Sequence, residues 1–134
     1  MKHPHDPRRL LQLAGIRPTE QRMALARLLF DGRDKHMTAE QIHAAARKIR
    51  ARVSLATVYN TLNQFTEAGL LHEVVIDSSR VYFDTNTGDH HHFFDAASGD
   101  LHDIPASDIR IARLPKAPPG RKLGRVDVII RLEE

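Results

Sequence analysis

Three consecutive histidines, His90, His91 and His92, follow Asp84 in a stretch of short polar and β-prone residues. Successive side chains of a strand point to opposite faces, so His90 and His92 can converge on one ion while His91 looks the other way. His36 and Asp103, distant in sequence, add a further imidazole and carboxylate. Such a set without thiolate suits zinc, ferrous iron or manganese, and ligand type alone does not choose among them. A bare run of three histidines is equally the mark of a solvated surface tract. His3, His5, His43, His72 and His102 lack this spacing and read as ordinary surface or core histidines.

A second kind of chemistry is written in Ser54 to Leu70, SLATVYNTLNQFTEAGL. Leu55, Val58, Leu62 and Phe65 recur at three- and four-residue steps and so form one apolar stripe of a helix. Ser54, Thr57, Tyr59, Asn60, Asn63 and Gln64 fill the other side with groups that meet phosphates and base edges. Ser54 suits the N-cap and Gly69 the left-handed residue that ends such a helix. Taken alone, the stretch reads first as an amphipathic core helix with a solvated polar face, and its context in the chain is what turns the reading toward nucleic acid.

The elements that must position these groups are legible in chain order. Arg8 to Ala14 reads as a short helix ending at Gly15, and Pro18 breaks the chain at Arg17. Thr19 caps a second helix through Met23, Ala26, Leu28, Leu29 and Phe30, which Asp31-Gly32 stops. Thr38 and Gln41 make a capping box for a third helix, whose Ile42, Ala45, Ala46 and Ile49 are expected to face inward. The polar-faced helix follows. Leu71 to Ile76 and Arg80 to Asp84, joined by Asp77-Ser78-Ser79, then read as a hairpin that would form a wing.

Beyond Asp84 the texture changes. Residues 85–89 form a polar link, and His91 to Asp95 and Leu101 to Ile104 read as short strands. Ala106 to Leu114 suits one or two helical turns before Pro115, Pro118 and Pro119 forbid more. Val126 to Leu132 is the most β-prone stretch. The expected fold class is α+β: a winged-helix DNA-binding domain over 1–84, a hinge at 85–89 and a small α+β domain over 90–134. That second domain is thin in core residues and is expected to be completed by another copy of the chain, as a two-fold dimer or a higher oligomer built on it.

Composition narrows the function classes. The 134 residues contain no cysteine, so disulfide frameworks and thiolate zinc sites are excluded. No apolar run approaches a membrane span and MKHPHDPRRL lacks a signal-peptide core, so a cytoplasmic location with no membrane partner is expected. Met1 to His72 carries 12 Lys/Arg against 6 Asp/Glu, a net of +6, whereas the rest carries 8 against 11, a net of −3. A basic half holding the polar-faced helix, followed by an acidic, histidine-rich half, fits a polyanion binder joined to a cation holder.

The ATVYNTLNQF core of Ser54 to Gly69 resembles the recognition helix of the ferric uptake regulator family, bacterial metal-responsive repressors of winged-helix fold. The likeness extends over almost the whole chain, through GIRPTEQR, HMTAEQI and HHH. It implies a regulatory site of zinc, iron or manganese on His36, Asp84, His90, His92 and Asp103, bound jointly by both halves. It also implies an AT-rich, dyad-like double-stranded DNA operator. Tyr59 would then touch bases or thymine methyls, with Ser54, Thr57 and Asn60 nearby. Arg17 would enter a narrow minor groove and Arg22 would meet phosphate. The plain reading of either arginine is a solvated charge.

The departures are equally informative. Many relatives have arginine where Asn60 stands. The first CxxC pair of the family's structural zinc is replaced by Asp95 and Ser98, so no four-cysteine zinc site exists, and LPKAPPG breaks the long helix expected after Ile104. Together with HHHFF and VDVIIRL these are similar to the iron response regulator branch, which acts in iron and haem homeostasis. Haem, if bound, would fall to His90 to His92; a second metal site would draw on Asp89 and His91, with Asp108 only near. The expected function is a metal- or haem-responsive transcription regulator and not an enzyme. A peroxide- or manganese-responsive repressor of the same family, a DNA-binding module with structural histidines, and a small non-haem iron enzyme are the alternatives.

Overall fold

Asp6 opens the described part of the chain, residues 6–134 of the computed structural model, by accepting the backbone N–H groups of Arg8 and Arg9. The expectations for His3 and His5 lie outside these residues. With Asp6 as cap and Pro7 at the first helical position, α1 spans Pro7–Leu13 and buries Leu10 and Leu11. The chain divides into two compact units, one running to Thr87 and the other from Gly88 to Glu134.

In the first unit, Thr19 caps α2 (Glu20–Leu29), and a two-residue strand β1 (His36–Met37) precedes α3 (Ala39–Lys48). The capping box of α3 is complete: Thr38 Oγ1 accepts the Gln41 N–H at 3.2 Å and Gln41 Oε1 accepts the Thr38 N–H at 2.9 Å. Helix α3 then ends without glycine. Arg50 adopts the left-handed conformation at φ 59°, with its N–H on Arg47 O and the Ala51 N–H on Ala46 O. Ile49, expected inward, is 53 % exposed, because the helix stops at Lys48 and the chain reverses through Ile49 and Arg50. Ala39 and Ala46 are the buried alanines of this helix, and Ala45 is half-buried.

Ser54 caps α4 (Leu55–Glu67), accepting the Thr57 N–H at 3.1 Å, and Gly69 takes the left-handed turn after it at φ 80°. Its inner stripe of Val58, Leu62 and Phe65 is fully buried with Leu11, Leu25, Leu29 and Ile42. Leu55 is packed against this core, and the Phe65 ring lies 5.9 Å from that of Phe30, centroid to centroid. The hairpin β2 (His72–Asp77) and β3 (Arg80–Asp84) turns where Asp77 Oδ1 accepts from both the N–H and the hydroxyl of Ser79. β1 adds to its other side, giving an antiparallel sheet of order β1-β3-β2. Helices α2 to α4 with this hairpin form a winged helix-turn-helix.

The second unit is a three-stranded sheet of order β5-β4-β6, from β4 (His90–Asp95), β5 (Asp100–Pro105) and β6 (Ile129–Leu132). β5 pairs antiparallel with β4, and β6 lies parallel on its far side. The helical turns expected from Ala106 to Leu114 shrink to one 3-10 turn, Ala106–Asp108, since Ile109 is already extended. The strand expected from Val126 pairs regularly only from Ile129, although Val128 O already accepts the His92 N–H at 3.1 Å. Phe94, Leu101 and Ile104 are buried, while Ile111, Leu114, Leu123, Ile130 and Leu132 remain exposed. No helix among the described residues is long and apolar enough to cross a membrane.

Phe65→Ala should lower unfolding free energy by about 3–5 kcal/mol, whereas Ile49→Ala should stay within about 0.5 kcal/mol, both read from urea denaturation midpoints. A large loss at Ile49 would contradict its exposed placement.

Candidate metal centre and nucleic-acid interface

Within the second unit the alternation along β4 sorts the histidines by face. His90 and His92 lie on the same face, with ring centroids 4.6 Å apart. Asp103 on β5 stands in register with His92, which puts its carboxylate on that face as well. One Asp103 oxygen is 3.4 Å from His92 Nε2 and 3.7 Å from His90 Nε2. His90, His92 and Asp103 each offer a ligand atom, all within 4.8 Å of one another.

These spacings fit a shared ion better than direct hydrogen bonds, which bring N–H and O to about 2.7–3.2 Å. Two ligand atoms about 2.0–2.1 Å from a tetrahedral zinc stand roughly 3.4 Å apart. The outer contacts agree. His90 Nδ1 lies 2.7 Å from Gly88 O, so that nitrogen donates its proton and Nε2 is left with the lone pair a metal needs. His92 is fully buried and His90 nearly so, so removing water from their imidazoles has to be offset by ligation or hydrogen bonding. The chemistry and spacing of these three donors therefore fit a divalent cation.

His91, on the other face, has a different task. Its Nδ1 accepts the Val128 N–H at 3.0 Å, tying the approach to β6 onto β4. A nitrogen used as acceptor fixes the proton on Nε2, so neutral His91 offers no lone pair there. The cleft beside it, about 360 Å³, is lined by Asp89, His91 and Arg125 among others. Arg125, held by Gly88 O and ion-paired with Asp127, takes up part of that lining.

In the first unit, Asp84 ends β3 fully buried and its Oδ1 accepts the Asn86 N–H at 2.9 Å. Backbone register places it opposite His36 on β1 and His72 on β2, so both imidazoles share its face of the sheet. The sequence reading assigned His36 to the metal and left His72 as an ordinary histidine. A two-residue strand carries too weak a local signal to reveal that both flank Asp84.

The outer face of α4 presents Tyr59, Asn60, Asn63 and Gln64, all exposed, with Thr57 half-buried. The Ser54 hydroxyl donates to Thr57 Oγ1 at 3.0 Å while capping the helix. Tyr59 donates its hydroxyl proton to Glu40 Oε1 at 2.5 Å. That contact with α3 has no local signature, because the partners are 19 residues apart. The Glu40 carboxyl is held below its ordinary value chiefly by this bond, and the Tyr59 hydroxyl is pushed up by it. Arg17 is exposed on the link before α2, and its carbonyl accepts from Arg22 Nη1 at 2.9 Å. Arg22 thereby steadies the link that carries Arg17, with guanidinium donors left over for phosphate.

A winged helix-turn-helix with a polar outer face, followed in the chain by a strand carrying cation-spaced histidines, narrows the class to winged-helix proteins with a candidate metal centre. The chain belongs to the ferric uptake regulator family, whose model matches residues 13–119. It is 37% identical over 94 residues to the peroxide-responsive repressor PerR of Staphylococcus aureus, an alignment covering 70% of this chain and 63% of that protein. The fold matches the Vibrio cholerae ferric uptake regulator, with TM-score 0.74, 20% identity and coverage of 96% and 99% of the two chains. It also matches the Pseudomonas aeruginosa regulator solved with manganese, with TM-score 0.69, 24% identity and coverage of 92% and 94%.

His92→Ala should weaken binding of zinc or manganese by roughly 100-fold or more in calorimetric titration, beyond the 10–100-fold typical of outer-contact changes. His91→Ala should instead cost about 1–3 kcal/mol of stability by stranding the Val128 N–H, with affinity changed less than about threefold. Equal affinity losses in the two variants would refute the division of labour along β4.

Proposed function

We propose that this protein is a metal-responsive transcription regulator that binds double-stranded DNA as a homodimer in the cytoplasm, and that it is not an enzyme. The observation that carries the reading is the meeting of His90 and His92 Nε2 at one Asp103 carboxylate, in a chain that also holds a winged helix-turn-helix. The basic charge of the first half and the polar face of α4 support DNA as its partner. Tyr59 would meet bases, Ser54, Thr57 and Asn60 would lie against the groove, and Arg17 and Arg22 would reach the minor groove and phosphate.

In this reading Asp84 and His36 complete the ligand set from the DNA-binding half. Only residues 85–89 separate Asp84 from His90, and His36 is in register with Asp84, so a common ion is within the reach of the chain. Such an ion supplies a fixed positive centre that stabilises one relative setting of the halves. In a dimer that setting determines the spacing of two α4 helices over successive major grooves. Metal affinity then becomes DNA affinity through the state both ligands favour.

Zinc, ferrous iron and manganese all suit the donors. The narrower assignment to iron and haem homeostasis, as in the iron response regulator branch, rests on HHHFF, the missing cysteines and VDVIIRL. Haem would draw on His90 to His92, of which His92 is fully buried. The repressor from S. aureus keeps a peroxide-responsive reading as the neighbouring alternative.

Metal-stripped protein should bind a randomised AT-rich duplex library weakly, and one of ferrous iron, manganese, zinc or haem, added singly, should change its affinity about tenfold or more in fluorescence anisotropy. The same addition to a His90→Ala/His92→Ala double variant should have no effect. Equal DNA affinity under every addition would leave a DNA-binding module with structural histidines and end the sensor reading.

A further inference from the structure

Glu40 is an acid on a surface proposed to meet a polyanion. It lies in the first turn of α3, where the helix N-terminus favours a carboxylate, yet near phosphates such a charge opposes binding. Its side chain reaches across to α4 and accepts the Tyr59 hydroxyl at 2.5 Å. Tyr59 is itself 38 % exposed, so its ring is accessible from outside.

The chemistry of this pair has a direction. A carboxylate accepts only, so the single phenolic proton points at Glu40, and the two lone pairs of the Tyr59 oxygen remain for other partners. The Glu40 carboxyl is held low and the Tyr59 hydroxyl is pushed up, so both keep these roles at neutral pH. In the major groove, guanine O6 and N7, adenine N7 and thymine O4 are acceptors, whereas adenine N6 and cytosine N4 offer donors. A free tyrosine hydroxyl serves either kind.

We infer that Glu40 is a specificity-determining positioning residue: by accepting the Tyr59 hydroxyl's hydrogen bond it leaves Tyr59 as an acceptor only, which fixes the strand that carries the amine-bearing base, adenine or cytosine, at one base pair of each half-site. The inference rests on the DNA-binding reading above. Glu40 touches no base; it acts through the orientation and polarity of Tyr59. The weaker general attraction to DNA caused by its charge is the cost of that selectivity.

The test selects randomised duplexes with full-length metal-loaded protein and its Tyr59→Phe, Glu40→Ala and double variants, helix content being checked by circular dichroism. The wild type should enrich a dyad in which one position per half-site carries adenine or cytosine on one and the same strand, to the exclusion of the reversed base pairs. Tyr59→Phe and Glu40→Ala should each reduce that preference roughly tenfold, while Glu40→Ala raises or preserves affinity for unselected duplexes. Glu40→Ala in the Tyr59→Phe background should add nothing at that position. An undiminished preference in Glu40→Ala, the same loss with and without the hydroxyl, or a wild-type dyad whose Tyr59-dependent position accepts a base pair in both orientations would overturn the inference alone. Failure of the wild type to enrich any sequence would overturn it together with the DNA-binding reading.

Discussion

Two consecutive residues of a strand cannot face the same way, and β4 commits both of its faces to imidazoles. His90 and His92 turn to Asp103 on β5, while His91 turns to the backbone that leads into β6. Each buried imidazole must find a partner or lose its hydration without return. The sheet order β5-β4-β6 supplies both partners at once. A shift of one residue in the β4 register would turn His91 toward Asp103 and carry the other two away from it.

The first unit meets a different constraint. The proposed reading helix must be supported from within and bare outside. Its inner stripe is fixed by Val58, Leu62 and Phe65, and its outer face stays polar. The turn before it is closed by Arg50 in a left-handed conformation, where glycine would fit without a Cβ penalty. At that turn, Gln21 Nε2 on α2 donates to the Arg52 carbonyl at 2.9 Å and ties α2 to the turn.

Most of the helical unit was legible because its boundaries are local. Thr19, Thr38 with Gln41, and Ser54 sit within three residues of the N–H groups they cap, so sequence spacing carries the geometry. The placement of His90 and His92 on one face was legible for the same reason, since the period of a strand is two. What escaped was non-local. β1 has only two residues, and its pairing with β3 decides that His36 faces Asp84. Ile49 satisfied the helical spacing but fell past the helix end, and Arg50 gave no glycine to mark the reversal. The Glu40–Tyr59 bond joins two helices with no pattern that links their positions.

The parallel placement of β6 bears on how the second unit assembles. Its contacts with β4 join residues 37 apart, such as His91 and Val128, whereas β5 meets β4 through a short hairpin. Loop-closure entropy must be offset before such distant pairs can form, so the hairpin can close early and the last strand must arrive late. During synthesis Asp103 emerges before Val128, so the β4 histidines can meet it first. The flank of β4 opposite β5 stays an open edge until β6 has emerged.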